Sequence, residues 1–207
     1  FDKYINANVK KLLNIQKKTK FTLKNEIRKI FLYANTVKEK LNALRKHSVI
    51  YANTIENILK CHKEGKSLFV YNEFVQGSGI ILFSLLLGIF GISKATGNET
   101  TKGLRYAALT NITSTTSEIR KLIDRFNQKD NANGEIISVI IGSKIIAEGF
   151  SFQNIQVEEI QTPWYNYSET AQAISRGIRL GSHKTLIEKG IQPTVRIFQR
   201  VAVPNIT

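Results

Sequence analysis

The first 66 residues repeat apolar positions at the spacing of an α-helix. Four segments place apolar residues three and four positions apart with lysines between them, and these are 4–15, 22–33, 35–46 and 53–63. We therefore predict four amphipathic helices. Thr22 and Asn35 are the expected N-caps of the second and third helices, and Asn53 or Thr54 that of the fourth, because short polar side chains accept hydrogen bonds from the free N–H groups of a first turn.

Beyond residue 66 the pattern changes to short β-rich runs that alternate with helical segments. Strands are predicted at 67–74, 105–110, 135–142, 156–162 and 194–203. Helices are predicted at 79–90, 116–127 and 144–148, and over the segment that contains 172–183. The alternation of strands and helices predicts a three-layer α/β domain with a mostly parallel sheet.

One apolar run stands out by its length. The segment GIILFSLLLGIFGI at 79–92 has 14 residues, whereas a helix needs about 20 to span a bilayer. We therefore expect a buried helix at this place and no membrane partner.

The charge of the chain is large and unevenly distributed. The 207 residues carry a net charge of +14, with an isoelectric point near 9.9, which is typical of proteins that bind nucleic acid or other polyanions. Residues 1–66 hold 16 basic and five acidic residues, a net charge of +11. We predict a basic helical segment at 1–65 followed by an α/β domain at 66–207. The lysines of the first segment are either a solvated surface or a surface that faces nucleic acid or a partner.

Several kinds of self-sufficient site are excluded by the sequence. It has no G-x-x-x-x-G-K-[ST] segment for gripping phosphates and no G-x-S-x-G segment for a nucleophilic serine. One cysteine, Cys61, and three histidines do not give zinc spacing, so no metal site is predicted. The single cysteine also excludes an internal disulfide and fits a reducing, intracellular compartment. The absence of methionine indicates a piece of a larger protein.

The clearest candidate site is the segment QAISRGIRLGSH at 172–183. It spaces Gln172, Arg176 and Arg179 by four and three residues, which on a helix puts all three polar groups on one face. Neighbouring guanidinium groups repel each other unless an anion lies in front of them, so the spacing predicts an anion site. The alternative is a surface helix whose arginines form salt bridges, for example with Glu169.

Four segments in this order resemble a known family. SLFVYNEFVQGSGI, ALTNITSTTSEIRKLIDRFN, SKIIAEGFS and QAISRGIRLGSH resemble the motifs of the second RecA-like lobe of superfamily 2 helicases and DNA translocases. The resemblance covers about 66–203, and it is closest to the nucleoside triphosphatase I and early-transcription-factor ATPases of large cytoplasmic DNA viruses. Three residues depart from the usual pattern. Ser175 stands where the family usually has glycine, Ser151 where it often has an acidic residue, and Asn111 where Thr-Gly is common.

The resemblance assigns roles to residues by their positions in the motifs. It implies that Arg176 and Arg179 are catalytic, reaching toward the γ-phosphate of ATP. It further implies ATP contacts by Gln172, Gly149 and Ser151, and contacts to the tracked nucleic-acid strand by Ser143 and Thr110.

The resemblance also implies partners. ATP and Mg²⁺ would be held mainly by an N-terminal RecA-like lobe of the same protein, and the nucleic acid would be DNA rather than RNA. RNA polymerase or transcription factor subunits are further expected partners, and a viral protein would occupy the virion and host cytoplasm. Two alternatives stay open: a non-catalytic nucleic-acid binding module that uses the basic segment, and an ATPase for transcription initiation or termination rather than unwinding.

Overall fold

A computed structural model describes residues 21–143, 150–163, 167–175 and 178–201 of the chain. The helices predicted at 4–15 and 144–148 lie outside these residues. Within them the helices are α1 (Asn25–Ile30), α2 (Val37–Arg45), α3 (Val49–Lys63), α4 (Ile80–Ile89), α5 (Thr116–Phe126), α6 (Tyr167–Ile174) and α7 (Lys184–Glu188). The strands are β1 (Ser67–Tyr71), β2 (Ser93–Lys94), β3 (Arg105–Leu109), β4 (Val139–Gly142), β5 (Ile155–Ile160) and β6 (Arg196–Gln199).

The described strands form one sheet in the order β2-β3-β4-β1-β5-β6, and every neighbouring pair is parallel. The prediction of a mostly parallel sheet is thereby confirmed. β1 lies between β4 and β5, with Tyr71 opposite both Gly142 and Ile160. Leu109 of β3 pairs with Gly142, and Gln199 of β6 pairs with Ile160, so the carboxyl ends of five strands meet in one row at the same edge of the sheet.

Both faces of the sheet are covered by helices, which gives the predicted three layers. Successive residues of β1 enter different apolar cores: Leu68 and Val70 pack with helices α1 to α4, whereas Phe69 and Tyr71 pack with α5. This division follows from the geometry of a strand, whose side chains alternate between the two faces. All five residues of β1 are buried, as the apolar composition of an interior parallel strand predicts.

The basic helices and the sheet share one core among the described residues. Ile55 and Ile58 of α3 are almost completely buried in the same apolar cluster as Leu68 and Val157 of the sheet. Nearby, Arg200 donates two hydrogen bonds of 2.7 Å to the buried carboxylate of Glu159. The division of the chain at residue 66 stays a prediction.

The predicted N-caps of α1, α2 and α3 are wrong. α1 begins after Lys24 and not after Thr22, and no side chain caps it. Thr36 rather than Asn35 caps α2, and its side chain forms a reciprocal capping box with Glu39. α3 begins earlier than predicted because Ser48 caps it by accepting a hydrogen bond from the Tyr51 amide. Thr54, which lies inside α3, is buried and hydrogen-bonded to Glu159 at 3.4 Å.

Several predicted elements are shorter in the structure, among them β4 and α6. β4 begins at Val139 and not at residue 135, because the Asn131 carboxamide accepts hydrogen bonds from the amides of Ile136 and Ile137. Helix α6 ends at Ile174, so Arg179 lies in a turn beyond the helix and not on a helical face with Gln172. The sequence prediction also missed β2 and α7.

The apolar run near residue 80 forms helix α4 as predicted. Its apolar side chains Ile80, Phe83 and Leu87 are completely buried. In the part of the chain that the structure describes, no helix combines the length and apolar character needed to cross a membrane.

Candidate functional site

Arg179 and Ser151 are brought together by the fold, although they are far apart in sequence. The Arg179 Nη1 donates a hydrogen bond of 2.5 Å to the Ser151 Oγ. Ser151 lies on the crossover between β4 and β5, and Arg179 lies in the turn that follows α6. The structure therefore joins two of the residues that the sequence assigned to a nucleotide.

The crossover at Ser151 is held by the end of helix α5. The Asn127 side chain donates to the Ser151 carbonyl oxygen at 3.0 Å and accepts from the Gln153 amide at 2.8 Å. Between them Phe152 is completely buried and packs against Phe69 and Phe126, with ring centroids 5.2 and 6.5 Å away. Ser151 thus has a fixed backbone position while its hydroxyl points to Arg179.

The turn that carries Arg179 is fixed at its other end. The Asn154 amide donates to the Ser182 carbonyl oxygen at 2.7 Å, and the Ser182 amide donates to the Arg179 carbonyl oxygen at 3.0 Å. His183 is buried and bonds to the Ile155 carbonyl oxygen. The Ser-His pair after the arginines therefore anchors the turn to the first residues of β5.

The charge of Arg179 is not neutralised by a described carboxylate. Its side chain is exposed, and among the described residues it forms no ion pair. Arg125 gives the contrast, because it forms two hydrogen bonds with Asp130 and holds the pKa of that carboxyl below its usual value. Arg179 is instead held by a neutral hydroxyl, which leaves its positive charge available to an anion.

Thr110 and Ser143 lie at the carboxyl edge of the sheet. The turn that carries Arg179 is anchored at the other edge, where β5 begins. They directly follow β3 and β4, whose last residues Leu109 and Gly142 are paired, so they are neighbours at the carboxyl edge. Both side chains are buried. The Thr110 hydroxyl oxygen accepts from the Ile112 amide at 3.0 Å, so it stabilises its own turn.

The same row continues across the sheet with two amides that the sequence analysis missed. Asn72 follows β1 and Gln161 follows β5, and they share a hydrogen bond of 3.0 Å. Both are buried. In the sequence they lie within the last residues of the predicted strands 67–74 and 156–162. That position was the available signal, since ligands of parallel sheets collect at the carboxyl ends of strands.

The remaining predicted site residues are described only in part. Gln172 is exposed near the end of α6, and its carbonyl oxygen accepts a hydrogen bond of 2.8 Å from the Ser175 hydroxyl. Arg176 and Gly149 lie outside the described residues, and so does the side chain of Glu169. In the described ranges, histidine, cysteine and acidic side chains form no group of three suited to a metal ion.

A family comparison agrees with the fold and with the order of the motifs. The profile of the helicase conserved C-terminal domain matches residues 50–181, which is more than half of the chain. The chain belongs to this family and is the C-terminal lobe of a superfamily 2 helicase.

Its relatives include viral proteins. The chain is 48% identical over 164 residues to the protein named "Putative helicase 087L" of Invertebrate iridescent virus 3, covering 78% of this chain and 17% of the relative. It is 40% identical over 155 residues to "Putative helicase 009L" of Frog virus 3 (isolate Goorha), covering 75% of this chain and 16% of the relative. The chain thus spans about a sixth of the length of these relatives.

A solved structure supports the fold. The C-terminal part of the Fun30 ATPase domain superimposes with a TM-score of 0.50 over 72% of this chain and 40% of that one, at 16% sequence identity. At this identity the likeness concerns the fold, which is the α/β architecture of a RecA-like lobe.

Proposed function

We propose that this chain is the second lobe of a nucleic-acid-dependent ATPase, in which Arg179 and Arg176 reach toward the γ-phosphate of ATP. We base this proposal on the exposure of Arg179 and on its hydrogen bond to Ser151. Its guanidinium is exposed, is fixed by the Ser151 hydroxyl and has no described carboxylate partner. A cation fixed in this way is suited to an anionic ligand that arrives from outside the lobe.

The chemistry favours arginine at such a position. Phosphoryl transfer spreads negative charge over the transferred group, and an arginine placed on that charge raises the rate by about 10³–10⁵-fold. The planar guanidinium offers a fork of donors that lysine lacks. In this proposal Ser151, Gln172 and Gly149 complete the nucleotide side of the lobe, while a first lobe holds most of the ATP and the Mg²⁺.

The opposite edge of the sheet is proposed to contact the nucleic-acid strand. Ser143 and Thr110 lie side by side there, and both are buried. We therefore propose that they act by shaping the loops that follow them, whose backbone N–H groups and hydroxyls grip phosphates without reading bases. The proposed strand is DNA, and transcription partners such as an RNA polymerase belong to the same proposal.

ATP turnover of the intact protein tests this function. We expect turnover that rises when a nucleic-acid strand is added, and none from the 207-residue chain alone, because the proposed active site needs both lobes. Turnover by the isolated chain, or an intact protein that hydrolyses no ATP under any strand condition, would contradict the proposal. Parallel titrations with DNA and RNA strands identify the preferred polyanion.

A second candidate function rests on the charge of the first helices. Among the described residues, three of the four acidic side chains of this segment are already engaged: Glu39 with backbone amides, Glu56 with Arg45, and Glu64 with Lys66. Several basic side chains form no described ion pair, and these are Lys24, Lys29, Lys38, Lys46 and Lys63. This excess of free positive charge favours a nucleic-acid binding surface.

Salt dependence tests the second candidate. If the basic helices bind nucleic acid, the isolated chain binds it without ATP, and the logarithm of the affinity falls linearly with the logarithm of salt concentration. Replacing Lys29, Lys38 and Lys46 with glutamine reduces that slope by up to about 0.7–0.9 for each phosphate that these lysines neutralise. An unchanged slope would show that these lysines are only a solvated surface.

A further inference from the structure

Asn127 clamps the crossover that presents Ser151. It follows the last residue of α5, and its backbone amide donates to the Ile123 carbonyl oxygen at 2.9 Å. Its side-chain nitrogen donates a hydrogen bond to the Ser151 carbonyl oxygen, and its side-chain oxygen accepts one from the Gln153 amide. A donor and an acceptor on one short side chain thus fix both ends of a three-residue segment.

The helix that carries Asn127 is itself firmly placed. Ile119, Leu122 and Phe126 are at most 3% exposed on its inner face. At its first turn, Thr115 and Glu118 form a capping box. Asn127 therefore extends from an element whose position is set by the core.

A continuous set of hydrogen bonds leads from this helix to Arg179. Asn127 holds the backbone of Ser151, and the Ser151 hydroxyl accepts from the Arg179 Nη1. The Ser182 and His183 contacts fix the backbone on the far side of Arg179 but do not reach its guanidinium. Among the described contacts, Ser151 is the one that locates the charged group.

We propose that Asn127 is a positioning residue for Arg179, acting through Ser151. This inference rests on the proposed function of Arg179. Without the carboxamide, the 151–153 segment loses a donor and an acceptor on opposite sides of Phe152, and the hydroxyl that locates the guanidinium shifts. A misplacement of about 1 Å in a catalytic group can cost up to about 10²-fold in rate.

A double-mutant cycle in the intact protein tests the inference. The kcat for ATP at saturating nucleic acid is measured for the unchanged protein, Asn127→Ala, Arg179→Ala and the double variant. We expect Asn127→Ala to lower kcat about 10- to 100-fold and to have no additional effect when Arg179 is already alanine. A merely structural role gives losses that multiply, because instability does not depend on the guanidinium.

Further variants keep the test independent of folding. Asn127→Asp has the same shape and retains the acceptor for Gln153 but loses the donor to Ser151, so we expect it to behave like Asn127→Ala. Ser151→Ala should lower kcat similarly, whereas Ser151→Thr retains a hydroxyl and should recover most of the rate. Gln128→Ala is the matched control, since Gln128 is the exposed next residue and should leave kcat within about twofold. Melting temperatures establish that each variant is folded.

The outcomes separate this inference from the proposed function. If Arg179→Ala abolishes turnover while Asn127→Ala and Asn127→Asp keep it within twofold, the positioning role is refuted and the proposed function stands. If the Asn127 and Arg179 losses multiply, the positioning role is again refuted. If Arg179→Ala retains full turnover, the proposed function itself is refuted and the positioning role with it.

Discussion

The imidazole of His183 joins the arginine turn to the sheet through the Ile155 carbonyl oxygen, which lies 2.5 Å from Nε2. Because a carbonyl can only accept, Nε2 carries the hydrogen. In the neutral ring Nδ1 then accepts from the Ser182 hydroxyl, which lies 2.9 Å away. The Ser-His pair therefore has a structural explanation: it ends the turn and leaves Arg179 exposed.

Replacing this imidazole should destabilise the lobe. His183→Ala leaves the Ile155 carbonyl oxygen buried without its donor, and we expect the free energy of unfolding to fall by about 1–3 kcal/mol. His47→Ala is the control, because His47 is exposed and should change stability by less than about 0.5 kcal/mol. Urea denaturation of both variants measures the difference. Equal stability of the two variants would show that His183 does not anchor the turn.

Gly79 and Gly88 lie near the two ends of α4. Replacing them with alanine should change the stability of the protein in opposite directions. At Gly79, which precedes α4, a Cβ would lie 1.9 Å from the Phe74 carbonyl oxygen, so Gly79→Ala must move the backbone. At Gly88, inside α4, a Cβ meets nothing within 4 Å. We expect Gly79→Ala to lower the melting temperature and Gly88→Ala to stabilise the helix by about 0.5–1 kcal/mol. A stable Gly79→Ala variant would contradict the close packing of this loop.

The Glu159–Arg200 ion pair should contribute far more to the free energy of unfolding than an exposed ion pair does. Glu159 is completely buried, and its hydrogen bonds to Arg200 raise the pKa of that guanidinium. Arg200→Ala leaves a buried carboxylate without its cation, which costs about 3 kcal/mol or more. Lys102→Ala breaks the exposed pair with Glu135 and should cost less than about 1 kcal/mol.

A second substitution identifies the cause of that loss. Adding Glu159→Gln to Arg200→Ala removes the buried charge, so part of the lost stability should return. Urea denaturation measures the free energy of unfolding of each variant. If Arg200→Ala lowers it no more than Lys102→Ala does, the Glu159–Arg200 pair does not behave as a buried ion pair.

His62 should make stability depend on pH. Its Nδ1 lies 2.9 Å from the Ser138 Oγ, and burial lowers the pKa of the ring below 6.5. The unfolded chain therefore binds a proton more readily than the folded one. The contribution is complete above about pH 6.5 and is lost as the pH falls through the lowered pKa of the folded state. His62→Gln should flatten the stability curve between pH 5 and 7, whereas an unchanged curve would exclude His62 as its source.

The fold was predictable where local signals were strong. Helix α5 was predicted at 116–127 and runs over Thr116–Phe126, because its apolar period is regular and a threonine precedes it. The α/β class followed from the alternation of elements. The end of α6 was missed because Ser175 bonds to the carbonyl oxygen of Gln172, which is a local competition that periodicity does not reveal.

The site was predictable in its residue types but not in its contacts. Arg179 and Ser151 were selected from motif positions, yet their hydrogen bond depends on where two separate crossovers meet. Asn127 carried one signal, the Phe-Asn pair that ends its segment, but the bond to Ser151 joins residues 24 positions apart. No local pattern encodes a contact at that separation, so it emerges only from the packed structure.

The most direct test of the central claim is the turnover number of the intact protein with Arg179 replaced by lysine and by alanine. Both kcat for ATP and the affinity for nucleic acid are measured in the same preparation. We expect kcat to fall about 10³-fold or more in Arg179→Ala, lysine to restore little of it, and nucleic-acid affinity to stay nearly unchanged. Retained turnover with weakened nucleic-acid binding would contradict the central claim, because Arg179 would then belong to the strand and not to the nucleotide.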